Sequence, residues 1–227
     1  MIMGFFDTLK GLFMDPSLVE DLCIHLKNLG INAKVLDPKS TEAVQHSPTL
    51  GIFGNPPMGS IKIEGRNIDL VEIERAPAPS GNRSIISVLY SYVYIVKGNI
   101  RDDAHAQQLK ADVKVIEKGL INKVITGFEW RGGEVAQRLS DDSELRDMIR
   151  GIGMPNIQIN PHTKDQYVAI TVSSQQRGKI KGFLPSTESL SKMLHELGML
   201  CFPSREEFEV YDKIAKHVRT IVGLSTY

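Results

Sequence analysis

Apolar positions along this chain recur with two periods. Spacings of three and four residues predict helices, and strict alternation predicts strands. The clearest helical stripe opens the chain: Ile2, Phe5, Phe6, Leu9, Leu12 and Phe13 share one face over residues 2–13, with Asp7 and Lys10 opposite. Asp15-Pro16 ends it, because proline disfavours helical backbone in the residue before it. Ser17 to Gly30 predicts a second helix, opened by the capping box of Ser17 and Glu20 and buried through Leu18, Val19, Leu22, Cys23, Leu26 and Leu29. Asp102 to Gly119 reads as another, since Asp102-Asp103 suits a helix start and Leu109, Val113, Ile116 and Leu120 recur at helical spacing. Two more close the chain. One carries Leu190, Met193, Leu194 and Leu197; the other follows a second box, Ser204 and Glu207, with Phe208, Tyr211, Ile214, Ala215, Val218, Ile221 and Val222 as its stripe.

Alternating runs lie between these helices. Ala33 to Leu36 predicts a short strand. Ile61–Ile63 and Asn67–Ile73 make a hairpin turned through Glu64-Gly65-Arg66, and the run from Ala76 to Asn82 reads as a loop. Ser84 to Val96 is a long strand, apolar on both sides and therefore central. A second hairpin pairs Ile157–Ile159 with Tyr167–Val172.

The stretch from Lys123 to Arg150 joins the two halves. Val124, Thr126, Phe128 and Trp130 alternate as a strand, Gly132-Gly133 reverses the chain, and Val135, Ala136 and Leu139 start a helix. Ser140-Asp141-Asp142-Ser143 interrupts that helix with cap-type residues, and a new one from about Asp141 to Arg150 buries Leu145, Met148 and Ile149. A Gly-Gly turn at a helix start is either a tight connection or an anion site. No Lys, Ser or Thr stands where a phosphate loop requires one, which favours the connection.

Hairpins cluster in the middle and helices gather at the ends, so the expected fold class is α+β: antiparallel sheet built from hairpins and covered by helices. Helix followed by hairpin occurs at 17–73 and again at 134–172, the order that two related units would show. The expected division is an amphipathic helix over 1–15, a first α+β unit over 16–100 and a second over 101–227.

Composition narrows the functional classes. The 227 residues are 41% hydrophobic and 24% charged, as in ordinary globular proteins. Lys+Arg and Asp+Glu both number 27, and this balance weighs against a nucleic-acid partner, which usually draws a basic excess. Zero net charge also leaves little electrostatic resistance to self-association. The local basic cluster Arg177, Lys179 and Lys181 reads as a solvated loop. Cys23 and Cys201 sit in apolar contexts, as free buried thiols. No apolar run has the length of a membrane span, and no signal peptide pattern is present, so the cytoplasm is the expected compartment.

Candidate chemistry is sparse. The six histidines do not pair with Cys, Asp or Glu at metal-ligand spacing, and no nucleophile elbow occurs, so no metal, cofactor or catalytic residue is expected. The candidate ligand-binding residues are Tyr90, Tyr92 and Tyr94, one face of the long strand, with Trp130, His162 and the loop Asn55 to Gly59. Phe5, Phe6, Leu9 and Phe13 are the candidate contacts of the first helix with its own fold, a partner protein or a membrane surface. The functional expectation is a non-catalytic interaction or scaffold protein, with an enzyme or small-ligand binder as the alternative.

Overall fold

The computed structural model describes residues 17–37, 40, 59–78, 86–118, 124–153, 155–173, 178–180 and 202–227. The expected helices over 2–13 and 186–198, with Phe5, Phe6, Leu9 and Phe13, lie outside the described residues, as do Asn55 to Met58 of the candidate loop and Cys201, Arg177 and Lys181.

In chain order the elements are α1 (Ser17–Asn28), β1 (Asn32–Val35), β2 (Ser60–Glu64), β3 (Leu70–Ala78), β4 (Ile86–Lys97), α2 (Asp103–Leu109), β5 (Ala111–Lys118), β6 (Val124–Gly132), α3 (Glu134–Asp141), α4 (Ser143–Gly151), β7 (Asn156–His162), β8 (Tyr167–Ser173), β9 (Gly178–Ile180) and α5 (Arg205–Val222). Hydrogen-bonded neighbours run β1-β2-β3-β4-β8-β7-β5-β6, with β9 on β4. The pairs β4–β9, β5–β6, β5–β7 and β7–β8 are antiparallel. The fold is α+β. No helix among the described residues is long and apolar enough to cross a membrane.

The chain forms two compact units. One comprises Met1–Lys62, Glu72–Ser91 and Ser174–Phe202; the other comprises Ile63–Val71, Tyr92–Ser173 and Pro203–Tyr227. In the first, α1 buries Leu18, Val19, Leu22, Cys23 and Leu26, the stripe its sequence prescribes. Gly30, with φ of 80°, turns the chain out of the helix, and the Ile31 N–H returns to the Leu26 carbonyl. Gly59 passes against Val19, where an added Cβ would sit 3.1 Å from a Val19 methyl. Ser60 donates to a Glu72 carboxylate oxygen at 2.6 Å, a buried bond between β2 and β3.

In the second unit the order β8-β7-β5-β6 carries the core. β7 pairs β8 from Asn156↔Ser173 to His162↔Tyr167, and β5 pairs β6 from Ala111↔Gly132 to Lys118↔Val124 with a bulge between Ile116 and Glu117. Ile157, Ile159, Tyr167, Val168 and Ile170 are buried along β7 and β8. The hairpin turn places Gln166 at a φ of 56°, where its side chain accepts from the Ile100 N–H and donates to the Ile100 carbonyl.

The expected helix over 102–119 is a correction. The helix ends at Leu109, and Ala111–Lys118 is strand. The apolar positions 113 and 116 fit a helical stripe, but Asp112, Lys114 and Val113, Val115 also alternate. Three β-branched residues in that run favour extended backbone. β3 likewise continues to Ala78, through residues expected to begin a loop.

The Gly132-Gly133 turn is a tight connection. A Cβ on Gly132, whose φ is 138°, would lie 2.1 Å from the Lys110 carbonyl oxygen, and one on Gly133 would lie 2.1 Å from that of Gln107. The Gly133 N–H is itself committed to the Lys110 carbonyl at 2.8 Å. The pair of glycines therefore lets the end of α2 pass against the start of α3.

Candidate functional site

α5 is where the polar chemistry of the second unit converges. Its start is the capping box read from sequence: the Glu207 N–H donates to Ser204 Oγ at 3.2 Å, and the Ser204 N–H donates to the Glu207 carboxylate at 2.7 Å. Phe208, Val210, Tyr211, Ile214, Ala215 and Val218 are buried. Two charged residues share that burial, Asp212 and Arg219. They are seven residues apart, two helical turns, so they project from the same face.

Buried charge is costly unless its bonding capacity is filled. Asp212 accepts from the Asn67 N–H at 2.7 Å, the Ile68 N–H at 3.2 Å and Asn67 Nδ2 at 2.9 Å. These donors belong to the turn between β2 and β3, which Gly65 reverses at a φ of 69°. Arg219 donates through Nε to the Asn67 carbonyl at 2.8 Å, through Nη2 to Asp69 at 2.6 Å and through Nη1 to the Ser225 carbonyl at 3.0 Å. The other Asp69 oxygen accepts from the Lys97 N–H at 2.8 Å. Burial pushes the Asp69 carboxyl above its ordinary range, against the opposing pull of the Lys97 N–H and Arg219. The Asn67 side chain is completed by Tyr227, whose N–H donates to Oδ1 at 3.1 Å.

A second polar cluster joins α5 to the break between α3 and α4. Asp142 caps α4 by accepting from the Leu145 N–H at 2.8 Å. Its carboxylate also meets Lys213 Nζ at 3.2 Å and His217 Nε2 at 2.9 Å, and Lys213 reaches Glu144 as well. Desolvation alone would raise the Asp142 pKa, but the Leu145 N–H, His217 and Lys213 hold it below the usual carboxylate value. Desolvation would lower that of Lys213; Glu144 and Asp142 outweigh it and raise it.

The residues singled out by sequence are placed as follows. Tyr92 and Tyr94 are buried in β4; the side chain of Tyr90 lies outside what is described. The Tyr94 ring packs on Tyr211, with centroids 4.6 Å apart, and edge-on to Phe208 at 6.2 Å. Burial drives the pKa values of Tyr94 and Tyr211 well above the ordinary phenol, so both stay neutral. Trp130 is buried in β6, cross-strand from Val113. His162 closes the β7–β8 hairpin and stacks on its partner Tyr167, centroids 4.5 Å apart. Among the described residues, no three His, Cys, Asp or Glu side chains gather where they could hold a metal ion.

Sequence reasoning marked Asp142 as a cap and missed Asn67, Asp69 and Asp212. The available signal was the pair Asp212 and Arg219 inside an otherwise apolar stripe, which marks a buried ionic network rather than a solvated face. Compared with family models, curated proteins and solved structures, the chain matches none.

Proposed function

We propose that this chain is a non-catalytic interaction or scaffold protein of the cytoplasm, and that residues 2–13 supply its contact with a membrane surface or a partner protein. The observation that supports this reading is where the buried charge of the second unit goes. Asp212 and Arg219 bond to main-chain groups and to Asn67 and Asp69, and the half-buried Asp142 bonds to a helix N–H and to Lys213 and His217 of α5. A general acid or base needs a lone pair or proton open to substrate. Here those positions are committed to holding backbone in place, which is the work of a scaffold. The stripe of Ile2, Phe5, Phe6, Leu9, Leu12 and Phe13 then supplies an apolar face for a partner protein or a membrane surface, and with Lys10 as its one cation the thin polar face adds only weak attraction to anionic lipid.

Vesicle co-sedimentation of the full chain and of a chain lacking residues 1–14 tests the membrane contact. The full chain is expected in the pellet and the shortened one in the supernatant. Equal soluble fractions of the two would remove the membrane from this reading.

A further inference from the structure

α5 ends at Gly223, whose φ of 74° redirects the chain, and the Leu224 N–H returns to the Arg219 carbonyl at 2.9 Å. Residues 225–227 then run across Asn67 and Arg219. Arg219 Nη1 takes the Ser225 carbonyl at 3.0 Å. The Asn67 side-chain amide faces one residue twice, accepting the Tyr227 N–H at 3.1 Å and directing Nδ2 toward the Tyr227 oxygen at 3.5 Å. The Arg219 guanidinium carbon lies 5.4 Å from the centre of the Tyr227 ring, within cation–π range.

The two sides of this contact differ. Asn67 and Arg219 are only 3% and 7% exposed. Each is fixed by bonds that do not involve residues 225–227, Asn67 by Asp212 and Arg219 by Asp69 and the Asn67 carbonyl. The guest is loosely held, with Tyr227 71% exposed. A rigid receptor is thus paired with a guest that buries little of itself. Its recognition uses main-chain groups and the face of one aromatic ring, features shared by any extended peptide with an aromatic residue at that position.

We propose that Asn67 and Arg219 form a peptide-binding seat, filled here by the chain's own residues 225–227, which an extended aromatic-bearing segment of a partner protein displaces. The proposal deepens the interaction-protein reading and rests on it. The resident segment acts as a tethered competitor, lowering the affinity for a partner until it lifts away. The partner must offer a carbonyl two residues before its aromatic residue, and main-chain N–H and C=O groups at the aromatic residue itself.

The test uses fluorescence anisotropy of a labelled Leu-Ser-Thr-Tyr peptide. Its binding to the intact chain is compared with binding to a chain ending at Leu224. The shortened chain is expected to bind at least tenfold more tightly, and Asn67→Ala within it is expected to remove that gain. Replacing the peptide's tyrosine with alanine should weaken binding several-fold. A shortened chain that keeps the circular dichroism of the intact one and binds no peptide, or binds it equally with Asn67→Ala, overturns the seat. Should the shortened chain fail to fold, amide hydrogen exchange in the intact chain decides. Exchange at Tyr227 at least tenfold faster than at Asn67 shows the segment lifting from a formed seat, and equal rates show that it leaves only on unfolding, which overturns the proposal. The vesicle experiment reads residues 1–14 and is indifferent to this seat, so the two readings can fail separately.

Discussion

Asp212 shows how one side chain can decide a local fold. Its carboxylate takes two consecutive main-chain N–H groups and a side-chain amide, all from the turn that starts β3. Asp212→Ala would strand those donors in a buried site. Each buried donor left unpaired costs about 1–3 kcal/mol, so the expected loss of unfolding free energy is about 3 kcal/mol. Urea denaturation measures it; a loss under about 1 kcal/mol would mean that the turn finds other partners. Asp142 works through charge. Its folded pKa is lower than the ordinary 3.8, so its contribution is present above that value and is lost as the pH falls through the lower folded one. Lys213, raised above 10.5, contributes below that value and loses its contribution as the pH rises through the higher folded one. The stabilisation of wild type over Asp142→Asn should therefore shrink below about pH 4. Raised Asp69 has the opposite slope, and the subtraction cancels it because both proteins carry it. A difference that grows on acidification would contradict the assignment.

At the scale of elements, the Gly132-Gly133 junction sets the approach of α2 to α3. Gly133→Ala would place a methyl 2.1 Å from the Gln107 carbonyl oxygen, a main-chain atom that cannot step aside. Overpacking of this kind costs about 3 kcal/mol, or prevents folding. Gly127 lies within β6 with nothing within 4 Å of an added Cβ, so Gly127→Ala should leave the thermal midpoint nearly unchanged. Comparable losses at both positions would contradict the assignment of the cost to the close approach at Gly133. Within α5, Phe208→Ala removes a fully buried ring that meets Tyr94 edge-on, at an expected cost of about 3–5 kcal/mol. Elements were legible where pattern and caps agreed. The break at Asp142 and the box at Ser204 and Glu207 follow from side-chain chemistry within a few residues, and the β7–β8 hairpin was legible too, although β7 runs on to His162 through residues expected to form the turn. Residues 111–118 were not legible, because the same apolar positions satisfy both periods and the choice of strand comes from pairing with β6 and β7.

At the scale of the whole molecule, the α+β class could be read from the grouping of hairpins and helices. The polar network could not. Asn67 and Asp212 are separated by 145 residues, and nothing local in either neighbourhood names the other. Only folding brings the β2–β3 turn to α5, which is why a sequence read for catalytic motifs passed over the most densely bonded polar side chains of the second unit. The network also bears on function: it ties α5 to the turn and fixes Asn67 and Arg219, the two side chains that face residues 225–227.

The central claim is that these buried charges hold backbone and are closed to chemistry. Amide hydrogen exchange at Asn67 and Ile68 tests it most directly. The account predicts that both amides exchange among the slowest in the protein and lose at least a hundredfold protection in Asp212→Ala. Exchange in the wild type as fast as at an exposed turn would contradict it, because the Asp212 carboxylate would then be open to other partners.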